Sequence, residues 1–453
     1  MGDIMPSESK GTKKIWTTLL GFSAVAMAVT GCGTANPSQP SQSQANASLS
    51  NTTLNVAIFS GPEADDIAKL APEFEKQTGI HINFVKLSYD DLFSKELVSA
   101  SSRVGTYDLF FMDDPWMPTF AGGGYLYPLS EFHYTPAGFM KGALQVDLWP
   151  PSPPYNAPIG TTGPQRYYGV PVTGNILTLF YNAKMLKDAG IHANPSHLTW
   201  ADINKLAQAS YHPSKGQYGF VLRGDGGNDS VADFSPILWS FGGDYFNKNW
   251  TSALNTPQAL AALKEWLLLY HEGPSGQTSF GANQVGAYMQ QGKTAAALVW
   301  PSGWAPEMPS DVKVTLVPGN AVGGQIRQAP EVGVWSLGIP KNAPHPQQAF
   351  EFLKWISAEQ QQMQYAKDGL DVPTLESVIT NPALDAKWPY YTVVEQSFKI
   401  GHMRPRTPAW PEVETVLGTE IVQAEEGKVT PQQALSTAAQ QIDQYMKEHH
   451  LSQ

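Results

Sequence analysis

The chain has 453 residues, 42% of them hydrophobic, and is long enough to form two lobes that each bury a core. Its 29 Lys and Arg residues against 40 Asp and Glu residues give a net charge of −11, which argues against nucleic acid as a partner. Only 15% of the residues are charged. Aromatic residues are plentiful and include 13 tryptophans.

The N-terminus has the pattern of a secretory signal. Three lysines between positions 10 and 14 precede an apolar run, 15–29, that is too short to span a membrane. The sequence Val-Thr-Gly-Cys follows, and its Cys32 is the only cysteine of the chain, so an internal disulfide is excluded. This pattern resembles a bacterial lipobox, which implies that the signal peptide 1–31 is removed and that Cys32 is lipidated. An ordinary signal peptide that is cut nearby is the alternative.

The segment after the cysteine is rich in Ser, Gln, Asn, Ala and Pro and has almost no large apolar residues. It can bury too little surface to offset the entropy of ordering, so residues 32–53 are expected to form a disordered tether. The folded body is expected to begin at Leu54.

From that point strand and helix patterns alternate. Short apolar runs predict strands, apolar residues at helical spacing predict helices, and Gly79 is the stop signal of the first helix. The predicted order is strand 54–59, a helix through 67–74, strand 81–85, helix 90–101 and strand 108–112. This order predicts a parallel sheet with helices on both faces.

Later elements have start signals of their own. Thr199 and Asp202 have the spacing of a capping box, and Thr256 and Thr430 each precede a proline at the first helical position. The run 295–300 predicts a further strand. The alternation of strands and helices therefore continues through the second half of the chain.

An ordered series of short motifs runs from residue 74 to residue 434. The series is FEKQTGI (74–80), YDLFF (107–111), GYL (124–126), GVP (169–171), LFYN (179–182), TWAD (199–202), WSFGGD (239–244), SGW (302–304), VWSLGIP (334–340), AFEFL (349–353), Arg404-Pro405 and GKVTPQQA (427–434). In order and spacing, the chain after residue 54 resembles the family 1 extracellular solute-binding proteins of bacterial ABC importers. That group includes maltose- and trehalose-binding proteins.

The resemblance implies an α/β, two-lobed periplasmic-binding-protein-like fold of type II. Each lobe would be a sheet flanked by helices, with hinge strands between the lobes. The first lobe would comprise residues 54–172 plus 336–372, and the second lobe residues 173–335 plus 373–453. Ligands of such open sheets sit beyond the carboxyl ends of the strands, which here means in the cleft.

The resemblance also implies a function. The protein would capture a mono-, di- or oligosaccharide outside the cell and deliver it by cleft closure to the permease subunits of an ABC importer. A lipid on Cys32 would anchor it to the cell membrane. We expect a monomer with no catalytic activity, no cofactor and no metal.

A sugar presents flat C–H faces and a rim of hydroxyls, so its site needs aromatic rings and polar side chains. The aromatic candidates are Trp116, Trp304 and Trp335, with core packing as the alternative for each. Trp304 stands where members of the family carry a stacking aromatic, and Trp335 lies on a predicted hinge strand. The polar candidates are Glu63, Asp113, Asp114, Asn175, Gly243, Asp244 and Arg404.

Each polar candidate also has a structural alternative. Glu63 and the Asp113-Asp114 pair could cap helices, the Gly243-Asp244 pair could form a turn, and Arg404 could make a salt bridge. Asn175 matches a position at which maltose-type members carry an acidic ligand contact. Its neutral side chain argues against a maltose-like hydroxyl pattern.

Two further classes of function remain open at this point. A glycoside hydrolase could take its paired carboxylates from Glu63, Asp113 and Asp114. An iron-binding receptor could use the adjacent tyrosines Tyr167-Tyr168 or Tyr390-Tyr391. A purely adhesive lipoprotein is a third alternative, but it would not need a cleft rich in tryptophan.

Overall fold

The computed structural model describes residues 51–304, 308–369, 371–388 and 390–452, without the side chains of Pro62 and Glu63. The predicted signal peptide, Cys32 and most of the predicted tether lie outside these ranges.

Strands and helices are interspersed up to residue 338, and the described elements that follow are all helices. The strands are β1 (Thr53–Phe59), β2 (His81–Leu87), β3 (Phe110–Asp113), β4 (Leu148–Trp149), β5 (Arg166–Tyr167), β6 (Gly169–Ile176), β7 (Thr178–Asn182), β8 (Tyr218–Phe220), β9 (Thr294–Val299), β10 (Val312–Thr315), β11 (Asn320–Val322), β12 (Gln325–Arg327) and β13 (Val332–Gly338). The helices are α1 (Pro62–Thr78), α2 (Tyr89–Ser101), α3 (Met117–Gly122), α4 (Lys141–Leu144), α5 (Ala183–Asp188), α6 (Trp200–Ser210), α7 (Asn228–Ser240), α8 (Pro257–His271), α9 (Ala282–Gln290), α10 (Pro346–Ile356), α11 (Glu359–Asp368), α12 (Glu376–Ile379), α13 (Pro382–Asp385), α14 (Tyr390–Ile400), α15 (Trp410–Glu425) and α16 (Pro431–Glu448).

The helix boundaries follow the signals in the sequence. Gly79 ends α1 in the left-handed conformation, with φ of 72°, which glycine adopts without steric cost. Thr199 and Asp202 form the predicted capping box of α6, and the Thr256 and Thr430 side chains cap α8 and α16. The predicted helix boundaries are therefore confirmed at these positions.

The first lobe is built around β1, β2, β3, β6 and β13. β1 and β2 are parallel, and a parallel bridge from Val56 to Leu109 joins them to the segment just before β3. β13 lies between β3 and β6 and is antiparallel to both. The sheet is thus mixed, because β13 returns from the second lobe in the opposite direction.

The second lobe has a four-stranded sheet in the order β10-β7-β9-β8. Helices α6, α7, α8, α15 and α16 contribute to its core, in which Trp200, Trp266 and Trp410 are buried. A smaller cluster around Phe180 and Val299 covers the other side of β7 and β9. The α/β two-lobed prediction is confirmed.

Within the described residues the chain passes between the two cores three times, near 176–177, 329–332 and 403–409. Segment 373–403, which the sequence analysis assigned to the second lobe, packs with the first: Leu375, Tyr391 and Met403 belong to its core. The Tyr391 hydroxyl also donates to the backbone oxygen of Asp371 at 2.9 Å. The cores therefore favour a first lobe of 54–176 plus 332–403.

Candidate ligand-binding cavity

A cavity of about 340 Å³ lies between the two cores. Three strands end at its wall, with Phe59 at the end of β1, Asp113 at the end of β3 and Val299 at the end of β9. The N-termini of α1, α7 and α9 also meet it, and each of these helices begins after a glycine. Both lobes therefore line the cavity at the carboxyl ends of their strands, the expected place for a ligand.

The aromatic wall on the second-lobe side is Trp300, directly after β9. The Trp300 ring is half-buried and rests against Gly333 of β13. A Cβ at Gly333 would lie 2.4 Å from a ring carbon, so only glycine leaves room for this contact. The Arg223 guanidinium carbon lies 5.1 Å from the ring centroid, within cation–π distance.

Arg223 is held by two carboxylates of α7. Its Nε donates to Asp233 Oδ1 at 2.8 Å and its Nη1 donates to Asp229 Oδ1 at 3.3 Å. Asp233 is fully buried, whereas the Asp229 side chain is 31% exposed and lines the cavity. Burial, together with the Asp233 and Asp225 carboxylates and against the opposing effect of Arg223, raises the pKa of Asp229 to about 6.

Arg404 lies at the floor of the cavity and is almost completely buried. Its Nη2 donates to Asp113 Oδ1 at 2.8 Å and also to Asp114, while Glu331 and Glu414 lie 3.7 and 3.9 Å from its other nitrogens. Burial raises the pKa values of Asp114 and Glu414 to about 7, although Arg404 opposes the shift. Four acidic groups therefore surround this one guanidinium.

Hydrogen bonds join the lobes at two edges of the cavity. The Asn228 Nδ2 donates to the Tyr89 hydroxyl at 3.1 Å and to Glu414 at 2.8 Å, and the Tyr89 hydroxyl donates to Asp113 at 2.7 Å. The Asn175 Nδ2 donates to the Ser302 hydroxyl at 3.0 Å. Tyr89 belongs to the first lobe and Asn228 to the second, so the two lobes are in direct contact beside the cavity.

The three predicted tryptophans lie in different environments. Trp335 lines the cavity but is only 6% exposed, because Phe59 and Phe111 stack on it with centroids 5.2 and 4.8 Å away. Trp116 is buried beside Trp335, with the centroids 5.7 Å apart, and does not line the cavity. Trp304 is also outside the lining.

The surroundings of Trp304 explain its position. Its ring is half-buried and lies 5.5 Å from the Phe180 ring and 5.9 Å from the Tyr390 ring, measured between centroids. The preceding residues Ser302 and Gly303 do reach the cavity. The structure thus places Trp304 in packing contacts outside the cavity lining, and the tryptophan that lines the cavity here is Trp300.

Of the polar candidates, Asp113, Asn175 and Arg404 line the cavity, whereas Asp114 lies behind Arg404. Gly243 and Asp244 lie in the turn after α7, where Asp244 accepts a hydrogen bond from the Tyr245 amide at 2.7 Å. The side chain of Glu63 is outside the described part of the structure.

The surroundings of Asp113 and of the Tyr390-Tyr391 pair bear on the glycoside hydrolase alternative and on the iron-binding alternative. Both oxygens of Asp113 are engaged, by Arg404, the Asp114 amide and Tyr89. Tyr390 and Tyr391 are buried in the first core, away from the cavity lining. In the described ranges there is no group of three or more His, Cys, Asp or Glu residues that could hold a metal ion.

A cavity enclosed between two α/β lobes that are joined by crossing strands defines a two-lobed solute-binding protein. The family model described as "Bacterial extracellular solute-binding protein" matches residues 60–363. The chain belongs to this family, as the motif series predicted, and acts outside the cytoplasm. Among the described helices, none has the length and apolarity needed to cross a membrane.

Proteins of known name or structure are similar over nearly the whole chain. The mannitol-binding protein of Pseudomonas aeruginosa is 24% identical over 425 residues, covering 87% of this chain and 93% of the relative. A ribitol-bound ABC transporter solute-binding protein from Agrobacterium radiobacter K84 has a TM-score of 0.77 at 25% identity, covering 88% and 99%. Maltose-bound MalE3 of T. maritima has a TM-score of 0.74 at 23% identity, covering 86% and 99%.

Sequence reasoning missed several residues of the cavity: Tyr89, Arg223, Asn228, Asp229 and Trp300. A signal for three of them exists, because the run Arg-Gly-Asp-Gly-Gly-Asn-Asp at 223–229 follows β8 and leads directly into α7. A polar, glycine-rich loop between a strand and a helix is a typical place for ligand contacts. The two aromatic residues have no comparable signal, since each fits core packing equally well.

Proposed function

We propose that this protein binds a carbohydrate or polyol in the cavity between its lobes and delivers it to the permease subunits of an ABC importer. The observation that carries the proposal is that a half-buried aromatic ring, Trp300, and the polar groups of Asn228, Asp229 and Asn283 all line the cavity from the second lobe. An aromatic ring suits the C–H face of a sugar, and carboxylate and amide groups suit its hydroxyls.

The size of the cavity favours a small ligand. A volume of about 340 Å³ lies near the lower end of the roughly 300–1,000 Å³ that is usual for small-molecule pockets. A single sugar ring, a short polyol or a disaccharide is compatible with this space, whereas a longer oligosaccharide would have to extend out of it. The mannitol and ribitol named for two of the similar proteins agree with a ligand of this size.

Delivery requires that the lobes close over the ligand. The bond from Asn228 to Tyr89 joins the lobes directly beside the cavity, so closure and enclosure of the ligand are geometrically coupled. We further propose that Cys32 is diacylated after signal cleavage and tethers the folded body to the membrane through residues 32–53. Mass spectrometry of the protein from native membranes tests this anchor, and a mature protein that starts at another residue would contradict it.

The bound ligand is expected to be released unchanged. Hydrolysis of a glycoside needs one carboxylic acid and one free carboxylate at a suitable distance. Asp113 is committed to Arg404 and Tyr89, and Asp114 lies behind the cavity lining. Chromatography after prolonged incubation with maltose should recover the maltose, and turnover beyond one equivalent would contradict the proposal.

A thermal-shift panel tests the function itself. We expect the melting temperature to rise with at least one of ribitol, mannitol, tagatose, maltose or glucose, because a ligand that binds only the folded state stabilises it. At a concentration 100 times the dissociation constant, the stabilisation is about 2.7 kcal/mol. A panel in which only amino acids or iron raise the melting temperature would refute the carbohydrate proposal.

A further inference from the structure

Both guanidinium groups that reach the cavity are already neutralised by protein carboxylates. Arg223 is paired with Asp233 and Asp229, and Arg404 with Asp113 and Asp114. Each Arg therefore faces at least two acidic groups, so neither carries an excess positive charge toward a ligand. The cavity lining also includes Asp225, which is exposed. The charge balance of the cavity is consequently negative.

Asp229 differs from the other paired carboxylates in its exposure. Asp233, Asp113 and Asp114 are almost completely buried, whereas 31% of the Asp229 side chain is exposed. Its Oδ1 accepts from Arg223, and among the described residues its Oδ2 has no hydrogen-bond partner.

Oδ2 of Asp229 lies against Gly281, the residue before α9. A Cβ at position 281 would lie 2.9 Å from Oδ2, so a larger residue there would press on the carboxylate. Gly281, Asn283 and Gln284 line the cavity beside Asp229. One oxygen of Asp229 is thus fixed by Arg223, and the second stands at the cavity wall beside a glycine.

We infer that Asp229 is the specificity-determining carboxylate of the site, which accepts a hydroxyl of a neutral sugar or polyol and rejects anionic sugars. The inference rests on the proposed function, since it specifies the charge of the ligand for the same cavity. A fixed carboxylate is a strong acceptor for a hydroxyl donor. A ligand carboxylate or phosphate at the same place would meet a like charge, and among the described residues that line the cavity no unpaired cation offsets it.

Ligand affinity should depend on pH through the ionisation of Asp229. Three charged groups face Asp229: Arg223 after β8, Asp233 on α7 and Asp225 in the connecting loop. The neighbouring side chains from α9, Asn283 and Gln284, do not titrate. With the pKa of Asp229 at about 6, the carboxylate is ionised above that pH and protonated below it. Affinity for a neutral sugar should therefore be full near pH 8 and should fall as the pH drops through about 6.

The test uses the complete protein and three variants. Calorimetric titration at pH 8 and pH 5 compares the wild type with Asp229→Asn, and Asp311→Asn serves as control because Asp311 is exposed and outside the cavity lining. The probes are D-mannitol and D-glucose, each matched with an anionic counterpart, D-gluconate and D-glucose 6-phosphate. Melting curves verify folding, and Asp229→Glu, which restores the charge, is the rescue variant.

We expect Asp229→Asn to weaken binding of the neutral probe about ten- to a hundredfold at pH 8, the usual effect of losing a hydrogen bond to a charged group. The wild type and the Asp311 variant should bind more weakly at pH 5 than at pH 8, and Asp229→Asn should show a smaller change; Asp114 and Glu414 beside Arg404, with pKa values of about 7, also titrate in this range. The anionic probes should bind the wild type weakly or not at all.

Two results would overturn the inference in distinguishable ways. Tight binding of a neutral probe by both the wild type and Asp229→Asn would remove Asp229 from the site and leave the proposed function intact. If a folded wild type binds neither these neutral probes nor ribitol, tagatose or maltose, the inference is rejected together with the proposed function.

Discussion

Replacement of Trp300 by alanine distinguishes a ring that contacts the ligand at the cavity wall from a ring that only packs in the surrounding core. The ring is half-buried, rests on Gly333 and carries the Arg223 guanidinium on it. Loss of its contact with a ligand should cost about 1.5–3 kcal/mol of apolar burial, which weakens binding by about ten- to more than a hundredfold. Arg223 is almost completely buried, so loss of its contact with the ring should cost about 2 kcal/mol of folding stability.

Trp335→Ala is the matched control. Trp335 also lines the cavity, but it is only 6% exposed and packs against Phe59, Phe111 and Trp116. Its removal should leave a void in the first core and cost about 3–5 kcal/mol of stability. Calorimetric titration with a sugar that raises the melting temperature, combined with denaturant unfolding, measures both quantities for both variants.

The two variants should therefore differ in which property they lose. Trp300→Ala should lose ligand affinity, with a smaller loss of folding stability than Trp335→Ala. Trp335→Ala should lose mainly folding stability. If Trp300→Ala binds as tightly as the wild type, or unfolds as readily as Trp335→Ala, Trp300 belongs to the packing of the lobe and the aromatic wall has been assigned wrongly.

Three further predictions concern stability and closure. Burial raises the pKa of Asp147 to about 8, so its folded form holds a proton that the unfolded chain releases above about pH 4. Folding stability should thus decline as the pH rises from 4 to 8. Over this range the melting temperature of Asp147→Asn should decline less than that of the wild type, and an equal decline would contradict this. Thr199→Ala should lose the cap of α6 and about 1 kcal/mol in denaturant unfolding, whereas Ser196→Ala in the preceding turn should lose less. Asn228→Ala should remove the bond to Tyr89 and increase the radius of gyration of the sugar-bound protein in X-ray scattering; an unchanged radius would show that closure does not depend on this bond.

Much of the fold could be predicted from the sequence because its signals are local. The turn glycine Gly79 and the caps at Thr199, Thr256 and Thr430 act within one turn of their own helix, and the structure confirms each of them. The path of segment 373–403 depends instead on packing with strands far away in sequence. No local pattern distinguishes the surface of one lobe from that of the other. The predicted boundary between the lobes therefore differs from the boundary between the two hydrophobic cores.

The cavity was less predictable for the same reason. Asp113, Asn175, Trp335 and Arg404 were found because they lie at strand ends or in the motif series, and all four line the cavity. Which of two tryptophans four residues apart lines the cavity, Trp300 or Trp304, depends on which one meets a glycine of β13. That glycine is Gly333, more than 30 residues later in the chain. Such a long-range steric fit has no signature in a single sequence.

The most direct test of the account is a crystal structure of the protein with whichever neutral sugar or polyol of the panel raises its melting temperature most. The account predicts electron density for the ligand inside the cavity, with one face on the Trp300 ring and a hydroxyl within hydrogen-bond distance of Asp229 Oδ2. Density for the ligand outside the space between the lobes, or a ligand that contacts neither of these residues, would contradict it.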